Sequence, residues 1–189
     1  HTHNKPLSSG KGSAHEGGVR VPMIACWPGI TKPGSVCKQP VIIEDFFPTI
    51  LELAGISEIE QIGGVIDGRS FVPLLLGQQD EVRENRPLVW HFPNNWGPKG
   101  PGIGPSSTIR LGDWKLIYYH EDRTFELFNL TEDLAEQHNL ADDQPDIRDH
   151  LAIELGRYLT SIEAQMPINN ATRQAVPYPA AQERRNGDL

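Results

Sequence analysis

Cysteine and methionine are scarce in this chain of 189 residues, two of each, and basic residues are outnumbered by acidic ones. Cys26 and Cys37 are too few for a disulfide framework. Seventeen Lys and Arg stand against 25 Asp and Glu, for a formal charge of −8, which argues against a nucleic-acid or polyanion surface. An anionic ligand would have to be met by a local cation rather than by the global field. No run reaches the ~20 apolar residues that span a bilayer. The longest candidate, Val41 to Leu53, is broken by Glu44, Asp45 and Glu52. Composition leaves the compartment open, and suits one soluble domain or a large piece of a bigger one.

Glycine and proline, by contrast, are plentiful. The densest use of glycine is Gly10-Lys11-Gly12-Ser13-Ala14-His15-Glu16-Gly17-Gly18-Val19-Arg20-Val21-Pro22. A lysine between two glycines stands on backbone that can approach a ligand closely, and its ammonium is the one large group there. Such a loop suits a small oxyanion. It is not a phosphate-cradling P-loop, because Lys5 stands where a glycine is required and Gly12 where Ser or Thr is required.

The block from Asn4 to Gly29 resembles the corresponding region of the type I sulfatases of the alkaline phosphatase superfamily. There the active-site lysine lies in a G-K-G-x-x-x-E-G-G-x-R-x-P stretch, and every fixed position of that pattern is filled here. Further blocks follow in family order: Trp27-Pro28-Gly29, Asp45 to Gly55, Asp67-Gly68-Arg69-Ser70-Phe71, Trp90-His91-Phe92-Pro93, Ile109 to Ile117, and Glu126 to Leu130. The resemblance implies an α/β fold, the end of a sulfatase sheet domain followed by a small subdomain of antiparallel strands with one long helix. It implies hydrolysis of sulfate esters, aryl or carbohydrate, in a periplasmic or secreted protein. It also implies Ca2+ and a formylglycine nucleophile made from a cysteine in a C-x-P-S-R or C-x-A-x-R context. Neither Cys26 nor Cys37 has that context, and the family's calcium-binding Asp and Asn pairs have no counterpart. The expectation is therefore a C-terminal portion whose nucleophile and metal ligands lie outside this chain, inactive when isolated.

Residues 1–19 lack apolar periodicity and read as loop. Val21 to Trp27 reads as a short buried strand stopped by Pro28-Gly29. Asp45 is placed as a helix N-cap ahead of an apolar face of Phe47, Ile50, Leu51 and Ala54, with Gly55 as the stop. Ile56 to Ser70 is turn-rich, and Phe71 to Leu76 is a helical turn. Leu88 to Trp90 begins a second pattern: a Gly/Pro-rich loop over 94–105, strands over 107–111 and 114–120 joined by the hairpin signal Gly112-Asp113, and a third strand over 124–128. A helix with Pro145 near its start carries Ile147, Leu151, Leu155, Leu159 and Ile162 on one face. The expected divisions are 1–80 for the sheet-domain portion, 87–166 for the subdomain and 167–189 for an extended or disordered tail.

The resemblance assigns Lys11 to the sulfate, where a compact cation can neutralise an oxygen and offset charge on the leaving oxygen. His91, at a strand end before the long loop, and His3, with Asn4 beside the lysine loop, are candidate substrate contacts. Glu16 and Arg20 are expected to pair with each other or cap the turn, His15 to pack, Gly17 and Gly18 to take the positive φ that costs glycine nothing, and Trp114 and Tyr118 to be core. The acidic run Asp142, Asp143, Asp146 and Asp149 reads as helix-start chemistry rather than a cation site. The expected partner is a sulfated small molecule or sugar, with no nucleic acid or membrane, and contact between copies through exposed surface. Two rivals stand beside the sulfatase: a phosphoester or phosphonate hydrolase of the same superfamily, and a non-catalytic carbohydrate-binding or degenerate module.

Overall fold

The computed structural model describes residues 3–56, 64–95, 97 and 99–181. His1 and Thr2 of the N-terminal loop, 57–63 of the turn-rich segment, Trp96 and Pro98 of the 94–105 loop, and 182–189 of the tail lie outside the described residues. Pro22–Arg86 forms one compact unit, and the chain before and after it forms another.

The second of these is built on a meander of four antiparallel strands in sequence order: β1 (Leu88–Phe92), β2 (Ser106–Leu111), β3 (Trp114–Tyr119) and β4 (Thr124–Asn129). The β2–β3 register, Leu111 opposite Trp114, leaves Gly112 and Asp113 as the connection, and Gly112 takes φ +57 as a two-residue hairpin requires. Alternation along β3 sends Leu116 and Tyr118 to one face and Lys115, Ile117 and Tyr119 to the other. The first face packs on helix α5 (Pro145–Ser161), whose Leu151, Leu155 and Leu159 are buried against Ile109, Leu116, Phe125 and Leu127. The opposite face holds Ile117, Phe128 and Leu130, with Ala14 of the lysine block packed on them. That block includes the one-turn helix α1 (Glu16–Val19). Both sheet faces are thus covered, one by a helix and one by a loop. After Pro167 the chain returns to the core as far as it is described: Val176 is buried, and the Tyr118 hydroxyl donates to the Pro177 carbonyl at 3.2 Å.

In the Pro22–Arg86 unit, a 3-10 turn (Ile43–Asp45) leads into α2 (Phe46–Leu53), followed by α3 (Val72–Leu75) and α4 (Glu81–Glu84). Fully buried Asp45 organises it. Its carboxylate accepts from Ile42 N and Arg69 N and pairs with Arg83 and Arg86. Burial lifts this carboxyl, and the hydrogen bonds from Arg86, Arg69, Ile42 and Arg83 bring it below its ordinary range. Asp45 therefore stands at the helix start without capping α2 through its side chain. One sequence expectation fails here. Residues 21–27 form no strand, and Val21 and Ile24 are 78% and 96% exposed. The apolar face of α2 is open, with Phe47 and Ile50 exposed while Pro48 and Thr49 are buried. A strand exists by pairing and an apolar face by what covers it, and no described residue of this unit supplies either partner.

Candidate active-site loop

Lys11 sits at the tip of a turn closed by Ser13 N donating to Gly10 O at 3.0 Å. Its side chain is exposed and makes no hydrogen bond or ion pair with the described residues. The ammonium therefore has no anchor of its own, and its position is that of the backbone beneath it. That backbone is fastened at several points. Asn4 Nδ2 donates to Gly17 O at 2.6 Å, and Gly17 N donates to Ser8 O at 2.9 Å. Ala14 N donates to Gly102 O at 2.8 Å and Ser13 Oγ to Pro101 O at 2.9 Å, which lays the 94–105 loop against the lysine loop. A methyl group at Gly17 would collide with the Ser8 carbonyl, and one at Gly18 with the Ser13 carbonyl. The glycine pair is there for close backbone approach.

Below this loop lies a buried charged cluster. His15, 3% exposed, stacks edge-to-face on Phe128 with ring centroids 5.5 Å apart. Its Nε2 is 2.8 Å from Glu126 Oε2 and its Nδ1 is 2.8 Å from Ser8 Oγ. A carboxylate can only accept, so Nε2 carries a proton. Tyr119 OH donates to the same Glu126 oxygen at 2.6 Å. Burial raises the Glu126 carboxyl, but the hydrogen bonds from His15 and Tyr119 hold it below its ordinary value. Burial and then the Glu126 charge push the Tyr119 phenol far up, so it stays a donor.

Glu16 and Arg20 pair as expected, Arg20 Nε donating to Oε2 at 2.6 Å. The other Glu16 oxygen accepts from Lys115 Nζ at 3.0 Å, and Lys115 also donates to Glu136 Oε1 at 2.8 Å. Glu136 Oε2 accepts from Glu16 N at 2.6 Å, closing the triad. All three side chains are 3% exposed or less. Burial raises the Glu16 carboxyl, and Lys115 and Arg20 more than reverse this, so it remains ionised. Neither Lys115 nor Glu136 is a sequence candidate. The available signal was that Lys115 shares a strand face with Ile117 and Tyr119, where a lysine needs a buried acid.

His91 lies apart from this cluster. Its Nε2 donates to Gln165 O at 3.0 Å, so its Nδ1, 2.8 Å from Ser107 Oγ, accepts. The Ser107 hydroxyl in turn accepts from His120 Nε2 at 2.8 Å. Burial, then His91, pushes His120 down to about 4, and its Nδ1 is a buried acceptor with no hydrogen-bond partner among the described residues. His3 is exposed. The hydrogen bonds that fasten the Lys11 loop use neither His91 nor His3.

The family described as N-sulphoglucosamine sulphohydrolase, C-terminal, matches residues 10–165, from the first glycine of the lysine loop to beyond α5. The chain belongs to this family. It is 36% identical over 190 aligned residues to a "Sulfatase" of Formosa agariphila, covering 94% of this chain and 34% of that protein. It is 34% identical to "Arylsulfatase K" of Danio rerio, covering 72% of this chain and 25% of that one. The chain thus spans about a third or less of these curated relatives. The crystal structure of Ps i-CgsB, described in complex with k-i-k-neocarrahexaose, is similar with TM-score 0.65 and 26% identity, covering 82% of this chain and 32% of that one. The sulfatase resemblance and the α/β class with its antiparallel sheet are borne out: the chain is homologous to the C-terminal part of sulfatases.

Proposed function

We propose that this chain is the C-terminal portion of an enzyme that hydrolyses sulfate esters, aryl or carbohydrate, and that Lys11 binds the sulfuryl group. One observation carries the reading: an ammonium with no partner among the described residues, on a rigidly fastened loop, within the block that the sulphohydrolase family shares. A sulfate ester presents anionic oxygens, and charge builds on its bridging oxygen as the S–O bond breaks. A fixed cation at either place favours the transition state. Residues 1–80 would complete the sheet domain, 87–166 form the subdomain and 167–189 the tail. His91, on β1, and His3, ahead of the lysine loop, remain candidate substrate contacts.

Ca2+ and formylglycine belong to the same proposal for the intact enzyme. The described residues do not fit either group: no set of three His, Cys, Asp or Glu side chains able to hold a metal ion is found among them, and Cys26 and Cys37 lie in contexts without the oxidation signature. No step is assigned to them here. No helix among the described residues is long and apolar enough to cross a membrane. A periplasmic or secreted location and contact between copies are parts of this proposal that rest on the family and on the exposed apolar residues of the Pro22–Arg86 unit.

The test is to assay the full-length protein and this chain alone against p-nitrophenyl sulfate, a sulfated oligosaccharide and p-nitrophenyl phosphate. The proposal expects sulfate release by the full-length protein and none by the chain alone. Turnover of the phosphate ester in preference to both sulfates would favour the sister hydrolase, and no turnover of any would favour a non-catalytic module.

A further inference from the structure

The Lys115 triad joins three stretches that are far apart in sequence: Glu16 beside the lysine loop, Lys115 on β3, and Glu136 in the turn after β4. Separations of 99 and 21 residues along the chain close to 3.0 and 2.8 Å in space. Glu136 holds φ +53, a backbone conformation rare outside glycine. Such a conformation persists where the surroundings over-determine it.

We infer that Lys115 is a positioning residue: clamped between Glu16 and Glu136, it fixes the loop that presents Lys11. The inference rests on the reading of Lys11 as the sulfuryl contact. Buried ion pairs are poor stabilisers beside apolar packing of equal volume, so a buried triad is better explained by the geometry it imposes. The neighbouring positions on this face, Ile117 and Tyr119, pack in an apolar cluster, so Lys115 is the charged exception among them. Lys115 instead fixes Glu16 Oε1, while Glu136 holds the Glu16 amide. Glu16 is thereby held by both side chain and main chain, five residues from Lys11. Among the described residues Lys11 has no partner of its own to correct a displacement of this backbone, and misplacement by about 1 Å costs a reaction on the order of 10²-fold.

The experiment is a double-mutant cycle in the full-length protein with p-nitrophenyl sulfate, using Lys11→Ala, Lys115→Met and the pair. Lys115→Met is expected to lower kcat by about 10- to 100-fold, and to leave the Lys11→Ala enzyme within about twofold of its own rate. Losses that multiply would overturn the inference, because Lys115 would then act independently of Lys11. The milder Glu136→Gln variant, which keeps the side-chain shape, should show the same non-additivity. Hydrogen exchange gives a readout that needs no activity. Amides of Ala14, Glu16 and Gly17 should exchange faster in both variants while the β3–β4 ladder stays protected. Uniform loss of protection, or none at 14–17, would also overturn it. If Lys11→Ala alone leaves the rate unchanged, the sulfuryl-contact reading fails instead, and the exchange pattern still decides whether Lys115 holds the loop.

Discussion

Replacing Lys115 by methionine removes the one cation shared by two buried carboxylates. Glu16 keeps Arg20 at 2.6 Å, so the burden falls on Glu136, whose side chain is fully buried. Glu136 retains the Glu16 amide, but its nearest remaining cationic candidate is His15, with Nδ1 at 3.9 Å. Breaking a buried pair by removing one partner costs about 3–5 kcal/mol, so the variant should lose that much at neutral pH. The pH dependence gives the more specific test. In the wild type, Glu16 is held below its ordinary 4.5, so its stabilisation is present above that value and lost as pH falls through the lower folded value. In the variant the burial that raises Glu16 is no longer opposed by the lysine, so the penalty is largest at neutral pH and shrinks as protons bind. Urea unfolding at about pH 7.5 and about pH 5 should show the difference between wild type and variant narrowing on acidification, as protonation relieves the uncompensated charge. Adding Glu136→Gln to Lys115→Met should recover much of the loss at neutral pH. A difference that stays constant with pH, with no recovery in the double variant, would refute the buried-charge reasoning.

His120 titrates near 6.5 when unfolded and about 4 when folded, so the unfolded state binds more protons between them. Stability should be complete above about pH 6.5 and fall by about 3 kcal/mol toward pH 4; His120→Gln should remove that share of the slope in pH-dependent unfolding curves. Gly18→Ala places a methyl on the Ser13 carbonyl oxygen. It should loosen the lysine loop and lower activity of the full-length protein by about 10-fold or more, while amide exchange in the β2–β3 ladder stays slow; equal activity would show that the loop tolerates the displacement.

Legibility in the sequence followed the range of the interaction. The meander, the Gly112-Asp113 connection and the buried face of α5 depend on residues a few positions apart, and their periodicities mark them. Gly17 and Gly18 were legible as backbone positions but not for the right reason, since they take no positive φ and serve close approach to the Ser8 and Ser13 carbonyls; Glu16–Arg20 was legible as a pair one helical turn apart. The triad was not, because Lys115 finds its acids at Glu16 and Glu136 only after the sheet has formed. An alternating lysine ordinarily points to solvent; here the lysine loop covers that face and turns it into interior. His15 was expected to pack and does, on Phe128, but its bonds to Ser8 and Glu126 depend on tertiary structure. Residues 21–27 show the reverse error. Their apolar run describes a strand, yet pairing belongs to a neighbour and not to the run itself.

Lys11, with no hydrogen bond or ion pair among the described residues, is proposed to meet the sulfuryl group from its fastened loop. The most direct measurement is kcat/KM for p-nitrophenyl sulfate of the full-length protein and its Lys11→Ala variant, at equal folded fraction by circular dichroism. The account predicts a loss on the order of 10²-fold or more. A ratio near one would contradict it.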